Sequence, residues 1–224
     1  RGDLAAYRRD PEARWAWLTM LAGVAVVSVF IWRAGTYAGF GTALRHGAFA
    51  VVSMASTTGF VSADFGTWPV FAPIAMLFLS SVCSCTGSTG GGIKMFRTLV
   101  LVKQSIREMF TLVHPQAVAP LKVAGQIVPN QVAYSVLAFI FLYFMTIVTL
   151  TFAMLLTGVD FITAFSAIVA CVNNAGPGLG QVGPGEGYGA LNHLQLWLCT
   201  VAMFVGRVEI FTFLVLFTRT YWRK

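Results

Sequence analysis

Between Trp15 and Trp32 the chain carries no charged side chain. An apolar run of that length approaches the ~20 residues a helix needs to cross the hydrocarbon core of a bilayer. Tryptophan at both of its ends matches the aromatic anchors favoured at membrane interfaces. Val128 to about Leu156 and His193 to about Phe217 are further apolar stretches long enough to span. Only 10% of the residues are charged and 57% are hydrophobic, whereas a soluble domain carries about 25% charged residues. Too little charge remains to cover a globule in water, and the expected class is an all-α membrane protein.

The net charge of +7 does not point to nucleic acid, because the cations flank the apolar spans instead of sharing one folded face. They gather at Arg1, Arg8, Arg9 and Arg14, at Lys94, Arg97, Lys103, Arg107 and Lys122, and at Arg219, Arg223 and Lys224. Basic loops stay on the cytoplasmic side, so the central link and both termini are expected there. Arg33, Arg45 and His46 then fall on the outer side, against that rule. Cys83, Cys85, Cys171 and Cys199 lie in apolar segments without Cys-x-x-Cys spacing, a pattern that supports neither zinc nor a disulfide framework.

Two apolar segments are too short to span. Thr42 to Ala55 stops at Ser56-Thr57-Thr58-Gly59-Phe60, and Phe161 to Val172 stops at Asn173-Asn174-Ala175-Gly176-Pro177. Each reads as a re-entrant half-helix followed by a polar turn. The apolar segment Val70 to Ser84 meets Thr86-Gly87-Ser88-Thr89-Gly90-Gly91-Gly92, where each glycine costs a helix roughly 1 kcal/mol against alanine. An offset of 117 residues, the separation of Gly59 and Gly176, overlays the two halves and sets Gly41 on Gly158. The expected organisation is a repeat over 1–110, a cytoplasmic linker over 111–129 and a second repeat over 130–224. In the first, the spans are 15–32 and a broken 69–110 around a pore helix at 42–55. In the second, they are 130–156 and 193–218 around a pore helix at 160–172.

Backbone that leaves helical form at membrane depth survives only when it is buried in protein or lines water. Thr57, Thr58, Asn173 and Asn174 offer neutral oxygens, and Gly59 and Gly176 let carbonyls turn without a Cβ clash. Carbonyl rings replace the hydration shell of a monovalent cation, and helix C-termini add partial negative charge. With no carboxylate in either turn, the reading is a potassium-like cation held at the carbonyls of Thr58, Gly59, Ala175 and Gly176. Two repeats supply half of a four-stranded filter. The start without methionine favours two more repeats before Arg1 over a second chain.

The turn Ser56 to Phe60, the run Gly87 to Lys94, the turn Asn173 to Pro177 and Gly206-Arg207-Val208-Glu209-Ile210-Phe211-Thr212 together resemble, in this order, the membrane subunit of the Trk-type potassium transporters. The resemblance covers essentially the whole chain, as the third and fourth of four pore repeats. It implies potassium uptake across the bacterial inner membrane, with 56–60 and 173–177 in the selectivity filter and 86–92 as an intramembrane gating loop. It further implies that Arg207 points into the pore beside that loop, where it repels passing cations and can hold loop carbonyls. A homodimer and a TrkA-like cytoplasmic ring that binds nucleotide are the implied partners. Arginine at mid-span costs roughly 2.5–3.5 kcal/mol, so Arg207 must face water or a partner. Glu209 is two residues away, off its face, and is expected to pair with Lys94 or Arg97.

Catalysis is not expected. Gly87 to Lys94 lacks the Gly-Lys-Ser/Thr ending of a phosphate loop, and Gly178-Leu179-Gly180 lacks the strand and acidic residue of a dinucleotide site. The rival readings are an alternating-access cation symporter, which also uses broken helices, and a non-conducting scaffold.

Overall fold

The structure is a computed structural model that describes residues 10–117, 119–123, 125–208, 210–215 and 218–222. Arg1, Arg8, Arg9, Glu209, Arg223 and Lys224 lie outside the described residues.

Helix α1, Pro11–Arg33, begins where Asp10 accepts the Glu12 N–H and where proline occupies the first turn, the position at which its missing N–H costs nothing. Its 23 residues rise about 34 Å, enough to cross a bilayer. α2, Phe40–Ala55, lies against it, and the contact is close because Gly47 leaves its Cβ position 2.6 Å from Ser28 Oγ. α3, Phe71–Val82, runs back inward and ends at the glycine-rich loop. α4, Met95–Val113, resumes after Lys94, which sits at φ +70°.

The linker holds an element the composition does not announce. Strands β1, Lys122–Val123, and β2, Gln126–Ile127, pair antiparallel across Gly125 at φ +78°. α5, Asn130–Leu155, is the second long apolar helix, and α6, Phe161–Asn173, the second half-helix. After short 3-10 turns come α7, His193–Val208, α8, Ile210–Val215, and α9, Arg219–Trp222. The outward surface is apolar: Phe78 is 67% exposed, Phe141 64% and Trp197 71%. Exposed apolar surface of this extent on an unaccompanied chain marks a contact with lipid or protein. The architecture is an all-α membrane protein of span, pore helix and span repeats, with the second span of the first repeat broken.

The repeat is written in backbone conformation more than in side chains. At the same offset of 117, Thr57 and Asn174 both take φ +55°, and Gly59 and Gly176 take +78° and +95°. Thr58 N–H donates to Ser53 O and Ala175 N–H to Ala170 O, both at 2.9 Å. Thr57 N–H reaches Met54 O at 3.1 Å and Asn174 N–H reaches Cys171 O at 3.0 Å. The pairing of Gly41 with Gly158 does not extend to conformation. Gly41 lies in the first turn of α2, while Gly158 follows α5 at φ +87°.

Two helical glycines, Gly41 in a first turn and Gly206 in a last turn, have opposite surroundings. A Cβ on Gly206 would collide with the Val172 carbonyl oxygen, whereas a Cβ on Gly41 meets nothing within 4 Å. Gly206→Ala is therefore expected to force α7 off α6 and lower the thermal midpoint of the purified protein. Gly41→Ala should hold or raise it, since alanine gains about 1 kcal/mol over glycine in a helix. Asp160 caps α6 by accepting the Thr163 N–H at 3.0 Å. Hydrogen bonds from Thr163 hold its carboxyl below the usual range, against a smaller opposing effect of burial. A depressed folded value places its stabilisation above the unfolded carboxylate pKa, and that stabilisation is lost as pH falls through the lower folded value. Asp160→Ala should cost about 1 kcal/mol at neutral pH, and the gap in thermal midpoint should close on acidification.

Candidate functional site: two filter turns above an intramembrane loop

The two half-helices converge so that their turns touch. A Cβ on Gly59 would stand 2.6 Å from Ala175 O and 3.5 Å from Pro177 Cδ, and one on Gly176 would meet Gly59 Cα at 3.9 Å. Among the described residues, the carbonyls of Thr57, Thr58, Gly59, Asn174 and Ala175 accept no protein hydrogen bond. Buried or half-buried carbonyls are nearly always partnered. Four of the five belong to buried or half-buried residues, Thr58 being exposed, and together they form an oxygen-rich surface suited to a desolvated cation.

The carbonyls of Phe60 and Gly176 are engaged, and differently in the two copies. In the first, Ser53 Oγ donates to Phe60 O at 2.7 Å, and the hydroxyls of Ser56 and Thr58 are 2.7 Å apart. In the second, the Tyr188 hydroxyl donates to Gly176 O at 2.8 Å, with Cys171 Sγ 3.5 Å from the same hydroxyl. Tyr188 comes from the 3-10 turn Gly187–Ala190. Nothing in its sequence neighbourhood signals the role, because the contact spans twelve residues of irregular chain.

The sequence reading puts Asn173 in the second turn as an oxygen carrier. The structure corrects this. Asn173 is the last residue of α6 and is fully buried. Its Nδ2 donates to Ser80 Oγ at 2.9 Å and Ser81 Oγ at 2.8 Å, and its Oδ1 accepts from the Tyr143 hydroxyl at 2.7 Å. Its own carbonyl accepts the Gly91 N–H at 3.0 Å. The amide is consumed in joining α3, α5, α6 and the loop, and none of its oxygens is left for an ion.

The loop divides into two limbs. Gly90 to Ile93 is buried, with Gly91 N–H on Asn173 O and Ile93 N–H on Ser81 O at 2.8 Å. A Cβ at Gly92 would lie 2.7 Å from Ser81 O, and one at Gly90 would lie 2.8 Å from Thr57 Oγ1. The glycines thus allow the limb to pass directly against the Thr57 turn. Thr86 to Thr89 is the exposed tip. Arg207 reaches it from α7, its guanidinium donating to the Thr89 carbonyl. Arg97 lies over the Phe139 ring, 3.9 Å from the centroid; Glu209, expected to pair with Lys94 or Arg97, lies outside the described residues.

The family model for TrkH, described as a cation transport protein, matches residues 9–224. The chain belongs to the TrkH family. It is 41% identical, over 99% of its length, to the Trk system potassium uptake protein TrkH of Halomonas elongata, of which it covers 45%. To the protein of the same name from Escherichia coli K12 it is 38% identical, again over 99% of its length and covering 46% of that relative. The crystal structure of the potassium transporter TrkH from Vibrio parahaemolyticus superposes with a TM-score of 0.90 at 39% identity, covering 97% of this chain and 46% of that one. The chain spans about half the length of the TrkH relatives it matches.

The Asn173 cluster carries a prediction of its own. Tyr143→Phe removes the bonds to Asn173 Oδ1 and to Ser81 Oγ, the latter 3.1 Å long. Losing them is expected to cost about 1 kcal/mol, the scale of a buried hydrogen bond in a membrane protein. Thermal unfolding in detergent should show this as a lower midpoint, with Phe141→Leu on the outward surface as the neutral control.

Proposed function

We propose that this chain supplies two filter segments and the gate of a potassium uptake protein. The observation that carries the reading is the set of unpartnered carbonyls at Thr57, Thr58, Gly59, Asn174 and Ala175, in turns that abut at Gly59. Neutral oxygens without a carboxylate suit a monovalent cation, and the carbonyls replace its water. Ser56, Phe60, Gly176 and Pro177 frame the turns. The loop Thr86 to Gly92 lies beneath and obstructs passage, with the Arg207 charge adding an electrostatic barrier. Transport names among the relatives agree with this reading, which assigns no catalysis to the chain.

The same proposal places the protein in a bacterial inner membrane, with both ends of this segment cytoplasmic. It works there as a homodimer on a TrkA-like nucleotide-binding ring. Lys103, Arg107 and Lys122 form the basic cytoplasmic face on which that ring would sit, or anionic headgroups where the ring is absent.

The test is flux of potassium and sodium into liposomes bearing the full-length protein. At Gly59 the backbone takes φ +78° and a Cβ would strike Ala175 O. Any other residue therefore pays about 1–2 kcal/mol in conformation alone. Gly59→Ser should reduce potassium-over-sodium preference about tenfold, and Arg207→Ala should raise basal flux. Selectivity indifferent to Gly59→Ser would remove the filter from this turn.

A further inference from the structure

The exposed loop tip is held at both ends, and by groups of opposite sign. At its far end Arg207, from α7, donates to the Thr89 carbonyl. At its near end the Thr86 N–H donates to Glu12 Oε1, from the first turn of α1, at 2.5 Å. Between them the tip has one internal bond, Ser88 N–H to Cys85 O at 3.0 Å. We propose that Glu12 is a second latch of the intramembrane loop, a positioning residue that holds the tip closed from α1 as Arg207 holds it from α7. The proposal rests on the reading of this loop as the gate.

The chemistry of the two contacts is complementary. A peptide presents a donor at N–H and an acceptor at C=O, and each end of the tip meets the charge its exposed pole prefers. Bonds to charged groups are about twice as strong as neutral ones, though exposure weakens them. Glu12 is itself fixed in place: its N–H is bonded to Asp10 Oδ1 at 3.0 Å, and its side chain is half-buried.

The limb Gly90 to Ile93 does not share this dependence, because backbone bonds to Asn173 and Ser81 hold it. The tip, Thr86 to Thr89 with Gly87 at φ +86°, is therefore the part of the loop that can move once its latches release. A cavity of about 370 Å³, bordered by Ala13, Ala16, Ser56, Cys85 and Ser88, adjoins the tip on the α1 side. That space lets the tip swing without displacing a helix. Glu12 and Arg207 sit on different transmembrane helices, so relative movement of α1 and α7 loosens one latch or the other.

The experiment measures basal potassium flux for the full-length protein in liposomes without its regulatory partner, with thermal midpoints recorded in parallel. Glu12→Ala should raise flux about fivefold, the effect expected of one partly exposed charge-assisted bond, at an unchanged midpoint. Glu12→Gln, which keeps an acceptor oxygen, should return most of the wild-type closure. Glu12→Lys, which repels the N–H, should open at least as far as alanine, and Glu12→Ala with Arg207→Ala should exceed either alone. Raised flux for Arg207→Ala together with wild-type or lower flux for Glu12→Ala and Glu12→Lys overturns the second latch and leaves the gate intact. Flux unchanged in all of them removes the gate reading, and this proposal with it.

Discussion

A peptide group that leaves helical form at membrane depth has no water to bond, and one fully buried amide answers that constraint for much of this structure. Asn173 ends the second half-helix, and its side chain and carbonyl together meet Ser80, Ser81, Tyr143 and Gly91. Those partners come from the broken span, the second long helix and the returning limb of the loop. An apolar residue here would keep the backbone carbonyl that accepts the Gly91 N–H but would take from Ser80, Ser81 and Tyr143 their amide partner in a dry interior, where an unmade bond costs ~1–3 kcal/mol. The cluster therefore fixes where the chain breaks and where it resumes, and the filter turn directly after Asn173 inherits that position.

From the same anchor follows the uneven stiffness of the loop. Gly91 and Gly92 lie so close to the Val172, Asn173 and Ser81 backbone that no side chain fits, and their peptides are bonded to the scaffold. Among the described residues, the tip is hydrogen-bonded to the charged side chains of Glu12 and Arg207 and to the neighbouring Cys85 carbonyl. Charged contacts at partial exposure are weak and reversible, whereas backbone bonds in a buried limb are not readily exchanged. A segment with one fixed end and one lightly held end moves as a flap about its glycines, which suits an obstruction that must clear a path and return.

How much of this is legible in the sequence depends on whether the signal is local. The long helices Pro11–Arg33 and Asn130–Leu155 follow from uninterrupted apolar runs, and the half-helices from runs too short to span. Gly59, Gly176, Gly87 and Gly92 all take positive φ, the conformations for which glycine is the least costly residue. Side-chain contacts at long separation are another matter. Asn173 stands next to Asn174, and no local rule says that one closes a buried cluster while the other turns the chain at φ +55°. Tyr143 reads as one more aromatic of an apolar span, and Tyr188 as a residue of a glycine-rich connection. The hairpin around Gly125 hides among the prolines of the linker, because strands of two residues have no periodicity to detect.

The two copies share a backbone and differ in what restrains it, and that difference bears on the ion site. In the first turn the outer carbonyl is fixed by Ser53, a residue of its own half-helix. In the second, Gly176 O is held by Tyr188, which belongs to the connection toward α7. The first restraint moves only with the pore helix, whereas the second links the turn to the helix that carries Arg207. A carbonyl whose orientation depends on a distant helix responds to that helix, so the second turn is coupled to α7 and the first is not. A ring built from such unlike segments presents its oxygens with unequal freedom. The first turn, tied within its own half-helix, is the stiffer of the two, because no movement of α7 is transmitted to it through a hydrogen bond of this kind.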